Sequence, residues 1–170
     1  GDSPTLCGRY TVQGRGGQVN DPPVIGLSTD PLVYSLGSGP VIIDGSATVT
    51  DDSIDFDTGT LIVEYVGGVG TAIDQLAINN EGTGPGQIGV SGSDVTYSGT
   101  IIGTFSGGGS GSTLTVALNA NATEQAVQAL VRNITYENTD TDNPTTGART
   151  VSFTVNDGDG GTSANYDTTV

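Results

Sequence analysis

The sequence predicts an all-β protein, an antiparallel β-sandwich with one short helix, on three observations. Apolar residues fall in short runs of Val, Ile and Leu, never in a long stretch. Within many runs they alternate with Ser or Thr, the period-two pattern of a strand with one buried and one wet face. Turns rich in Gly, Asp and Asn separate the runs, with 28 glycines in 170 residues, as a sandwich of many short strands requires. Low hydrophobicity with high net charge would permit disorder, but the alternation argues against it.

Residues 1–18 read as an arm outside the core. They are Gly-rich and carry Cys7 and two of the four arginines, with one β-like run at Arg9-Tyr10-Thr11-Val12. The stretch Val19-Asn20-Asp21-Pro22-Pro23-Val24-Ile25 is a joint: two prolines hold the chain extended, and Val24 and Ile25 begin a strand. A single sandwich domain is expected over 19–170, a length ample for a sizeable core.

Strand signals then follow in order: Val41-Ile42-Ile43, Ala47-Thr48-Val49, the alternating Leu61, Val63 and Tyr65, Leu76 to Ile78, Ile88 to Val90, Val95 to Tyr97 and Ile101 to Phe105. Leu114, Val116 and Leu118 come next, and Val151, Phe153 and Val155 last. One segment, Thr123 to Val131, has helical spacing through Val127, Leu130, Val131 and Ile134. Thr123 suits an N-cap and Glu124 the positive end of the helix dipole, so a short helix should cross between the sheets.

Charge narrows the function. There are 19 acidic residues against 4 arginines, with no lysine and no histidine, a formal charge of −15. Nucleic acid needs a basic stripe that Arg9, Arg15, Arg132 and Arg149 do not make. Anionic membrane surfaces are disfavoured for the same reason, and no apolar run reaches the roughly 20 residues of a membrane span. Without His there is no Ser-His-Asp triad, no Cys-His pair and no His-ligated metal; without Lys there is no Schiff base and no Lys–Asn isopeptide crosslink. Two carboxylates could cleave a glycoside only in a cleft that keeps one protonated, and acids in Gly-rich turns are poorly placed for that. The expectation is that the chain is not an enzyme. Lacking Met, it is expected to be a processed product or excised piece, and its single cysteine could form a disulfide only with another chain.

The acidic turns carry the remaining chemistry. Asp51, Asp52, Asp55 and Asp57 lie within seven residues with no basic residue nearby in sequence. Their mutual repulsion calls for a hard cation bound through oxygen, and calcium is the candidate cofactor. Calcium takes six to eight oxygens, more than one short loop readily supplies. Two further turns could converge on it at a sandwich end: Tyr136 to Pro144, with Asn138 and Asp140, and Asn156 to Gly161, with Asp157 and Asp159. The candidate metal ligands are therefore Asp51, Asp52, Asp55, Asp57, Asn138, Asp140, Asp157 and Asp159, with plain solvated turns as the alternative. An EF-hand fails, because the glycine falls one place late and a strand pattern follows where a helix is needed. Gly107 to Ser112 lacks the Lys and helix of a phosphate loop and reads as a hairpin connection, as does Gly158 to Gly161. Of the two Asn-x-Thr sites, Asn121 and Asn133, the latter adjoins Ile134 and should be a poor glycan acceptor.

The order of several motifs resembles a known family. Val19-Asn20-Asp21-Pro22-Pro23, Asp52-Ser53, Gly59-Thr60-Leu61, Leu114 to Asn119, Ile134 to Thr139 and above all Gly147 to Gly161 are similar to the cadherin-like, immunoglobulin-type tandem repeats of large bacterial surface proteins and adhesins. The resemblance implies an immunoglobulin/cadherin-like sandwich, export to the cell surface, calcium at module ends, and a mechanical or adhesive role. Two functions follow as expectations. One is a secreted structural module that polymerises with copies of itself, the arm residues Arg9, Tyr10, Thr11 and Val12 adding as a strand to a neighbour's sheet. The other is a calcium-dependent adhesin domain binding a glycan or protein ligand.

Overall fold

The computed structural model describes residues 19–68 and 73–170. Twelve strands and one helix follow one another there: β1 (Val24–Gly26), β2 (Val41–Ile42), β3 (Thr48–Thr50), β4 (Thr60–Gly67), β5 (Asp74–Ile78), β6 (Ile88–Ser91), β7 (Asp94–Tyr97), β8 (Thr100–Gly107), β9 (Leu114–Leu118), α1 (Glu124–Val131), β10 (Ile134–Asn138), β11 (Thr150–Asn156) and β12 (Tyr166–Thr169). All pairings are antiparallel. A seven-stranded sheet in the order β12-β11-β4-β9-β8-β7-β6 shares one apolar core with a three-stranded sheet, β2-β10-β5, and the pair β1-β3. The fold is the all-β sandwich with one helix that the alternation predicts. Among the described residues no helix is long and apolar enough to cross a membrane.

The core is the sum of the alternating faces. Leu61 and Val63 of β4, Leu114 and Val116 of β9, and Val151, Phe153 and Val155 of β11 are all fully buried, as is Phe56 from the acidic loop. Two strands differ from expectation. Ile134, placed by its spacing on the helix, instead opens β10, and Tyr136 to Asn138 are strand residues, not part of a turn. Strand β12 has no apolar alternation and is held by its register with β11, Phe153 opposite Tyr166 and Thr150 opposite Thr169.

Helix α1 links the large sheet to the small one. Thr123 is the N-cap, extended at φ −71°, ψ 166°, and its hydroxyl accepts from Ala126 N at 3.3 Å. Ala126, Val127, Leu130 and Val131 are buried. A polar row on another side of the helix meets the edge of β3: Glu124 Oε2 accepts from Asp51 N at 2.9 Å, Gln128 Oε1 accepts from Val49 N at 3.2 Å, and Arg132 Nε donates to Ala47 O at 2.6 Å. The spacings match, since four helical residues rise about 6 Å and two strand residues advance about 6.6 Å. The helix therefore closes the edge of β3 that no strand pairs with among the described residues.

Candidate cation site at the joint end

Three segments meet at one end of the sandwich: the joint at Asn20 and Asp21, the loop after β3, and the hairpin turn between β11 and β12. Asn20 is the bridge, its Nδ2 donating to Asp157 Oδ2 at 2.8 Å while its Oδ1 accepts from Ser53 Oγ at 3.1 Å. Asp21 N donates to Asp52 Oδ1 at 3.2 Å. Asp157 is fully buried, and its Oδ1 accepts from Asp159 N at 2.8 Å and Gly161 N at 2.9 Å, which shapes the turn. That turn needs its glycines: Gly158 has φ +85°, and a Cβ on Gly161 would collide with Asp157 Oδ2.

Asp51 is electrostatically unbalanced. Its Oδ2 accepts from Ser53 N at 3.3 Å, but its Oδ1 is buried without a hydrogen-bond partner. Burial pushes its carboxyl above the ordinary carboxylate range, the Asp157 charge adds to the push, and the Ser53 hydrogen bonds only partly oppose it. Neither described arginine balances the charge: Arg132 donates to Ala47 O, and Arg149 pairs with Asp74. An orphaned, buried carboxylate oxygen near a second buried carboxylate is a position a cation fits, because burying an unpaired charge is costly. Asp51, Asp157, Asp52 and the Asn20 amide oxygen are the groups that would hold it. Among the described residues no three acidic side chains form a group able to hold a metal by themselves, so amide, hydroxyl or solvent oxygens would complete the shell.

The other candidate ligands separate. Asp55 and Asp57 follow in the same loop, where Asp55 Oδ1 accepts from Asp57 N at 3.0 Å in an exposed turn. Asp159 is exposed on the hairpin. Asn138 and Asp140 belong to the opposite end, which corrects the expectation of one cluster: Asn138 pairs with Asp74 at the start of β5, and β11, which runs from that end to Asp157, is about 20 Å long. There Asn138 Oδ1 accepts from Asp140 N, and Asp140 Oδ1 accepts from Asp142 N and Asn143 N, each at 3.0 Å. These are side-chain-capped turns, whose acids already have partners.

The opposite end has its own cation. Arg149 Nε lies 3.2 Å from Asp74 Oδ1, with both side chains buried, and Tyr136 OH donates to the same oxygen at 2.7 Å. Arg149 also donates to the carbonyls of Thr145 and Gly147. Burial, with the Asp74 charge adding, raises the Tyr65 and Tyr136 hydroxyls above their ordinary range, so both stay neutral. Nothing local marks this pair, whose members lie 75 residues apart in sequence. Asn20 and Glu124 also belong to the joint end; the one sequence sign of Asn20 is its place beside Asp21 in the joint, and Glu124 carries none.

Arg9, Tyr10, Thr11 and Val12, with Cys7, lie outside the described residues. Set against family models, curated proteins and solved structures, the chain matches none.

Proposed function

We propose that the chain is a non-enzymatic extracellular structural module, stabilised by calcium, that assembles with copies of itself into a filament or surface layer through residues 1–18. The observation that carries the calcium reading is the buried, unpartnered Asp51 Oδ1 near the buried Asp157 at the joint. Bound there, calcium supplies only charge neutralisation and coordination. Asp51 and Asp157 would contribute carboxylate oxygens, and Asn20 and Asp52 would tie the joint to the loop, stiffening the point where the sandwich meets what precedes it. The non-enzymatic reading is supported by the lack of His and Lys.

Thermal unfolding of the whole chain in calcium and in chelator tests the metal. The midpoint should rise with calcium concentration by mass action, and an unchanged midpoint means that the turns are merely solvated. For assembly, electron microscopy of the chain lacking residues 1–18 is the test. Filaments or layers that persist without the arm would sink that part of the proposal.

A further inference from the structure

The two edges of the seven-stranded sheet differ in how they end. At β6 every outward main-chain group is satisfied by the segment before it. Ile88 N donates to Glu81 Oε2, Ile88 O accepts from Glu81 N and Gly82 N, and Asn80 exchanges two side-chain hydrogen bonds with Val90. Such capping blocks further pairing. At β12 the alternation is fixed by the two bonds between Arg149 and Val170, so Asp167 and Thr169 point their main-chain groups away from β11. Thr169 O accepts from Leu32 N at 2.9 Å. Asp167 N–H and C=O, and Thr169 N–H, have no partner among the described residues.

The chain that could have covered this edge turns from it. Ser28 N donates to Asp44 Oδ2, Asp30 N donates to Ser28 Oγ, and Pro31 has no N–H. A groove of about 490 Å³ is left between the two, lined by Leu27, Pro31, Tyr166 and Asp167 among others. Its lining mixes the apolar Leu27, Pro31 and Tyr166 with hydroxyl side chains and one acid, Asp167. Asp167 is exposed at the end of a cross-strand row with the buried Ser152 and the half-buried Glu64, while Tyr166 and Thr168 take the alternate face.

We infer that this groove receives the run Arg9-Tyr10-Thr11-Val12 of a second copy, added as a strand beside β12. The inference rests on the self-assembly reading above and names its acceptor. Charge selects the occupant: residues 1–18 hold two arginines against the single acid Asp2, whereas the rest of the chain holds all the other acids and only two arginines. Period two selects the register. A strand with Arg9 and Thr11 on the Asp167 face sets Tyr10 and Val12 on the face of Tyr166 and Leu27.

The test uses full-length chains. Asp167→Pro removes the outward N–H that an added strand needs while costing β12 no hydrogen bond to β11. It should leave monomers by light scattering, and the arm variant Tyr10→Asp/Val12→Asp should do the same. Mixed together, the two should stop at heterodimers, since one offers only an arm and the other only a groove. If Asp167→Pro fails to fold, Asp167→Lys serves: it should abolish assembly, and Arg9→Glu should restore it. Asp167 variants that polymerise like the parent while the arm variant does not would overturn the groove and leave the arm reading intact. Assembly unaffected by the arm variant would overturn both, and a monomeric parent with the Asp167 amide protected from hydrogen exchange would mean that the arm folds back on its own chain.

Discussion

The two ends of the sandwich solve one electrostatic problem differently. At the Asp74 end a buried carboxylate is met by a buried guanidinium of the same chain, 3.2 Å away, with a tyrosine hydroxyl completing the shell. At the Asp51 end a half-buried carboxylate lies near the buried Asp157, and no described arginine accompanies them. The first end carries its own counter-charge, although the Tyr65 hydroxyl beside it is buried without a hydrogen-bond partner. At the second no described arginine supplies that charge, and the cation proposed there would tie the stability of the module to its medium at that end alone.

Breaking each end in turn should show that difference. Arg149→Met strands the Asp74 charge and should cost about 3–5 kcal/mol in denaturant unfolding, by the same amount with calcium and with chelator. Calcium at a hundred times its Kd should add about 2.7 kcal/mol to the parent. Asp51→Asn should erase that increment, while Asp140→Asn at the far end should keep it. A retained increment in Asp51→Asn would remove the joint as the binding place.

A smaller effect sharpens the contrast through pH. The Asp51 pKa in the folded chain lies above its ordinary value of 3.8. A group shifted in that direction costs the fold nothing below the ordinary value, and the cost enters as pH rises through the folded value. In chelator at neutral pH, Asp51→Asn should therefore melt above the parent, and the advantage should vanish below about pH 3.8; in calcium the order should reverse. The smallest effect is Asn20→Ala, which removes the bridge from Asp157 to Ser53 and should cost about 1 kcal/mol by urea titration.

Legibility in the sequence followed the same physics. Strands with one wet face declared themselves by alternation, as in Leu61, Val63 and Tyr65. Strand β10 did not, because Ile134, Thr135 and Tyr136 are all buried and leave no period to read. Strand β12 did not either, since Tyr166-Asp167-Thr168-Thr169 is polar and owes its place to pairing with β11. The acidic loop is visible as a candidate site, but its partners are not: Asp140 and Asp157 look alike in sequence, and only the course of β11 puts them at opposite ends. The Asp74–Arg149 pair depends on a strand register, which no local pattern encodes.

The row of Glu124, Gln128 and Arg132 along β3 has a consequence for how the molecule fails. Those three side chains hold the edge at Ala47, Val49 and Asp51 only while α1 stays wound. A transient unwinding of eight residues would uncover a ready-made template for aggregation without any loss of sheet. The exchange rates of the Val49 and Asp51 amides thus report how often the helix lets go, and Thr123, its cap, guards the chain against sticking to its neighbours by the wrong edge.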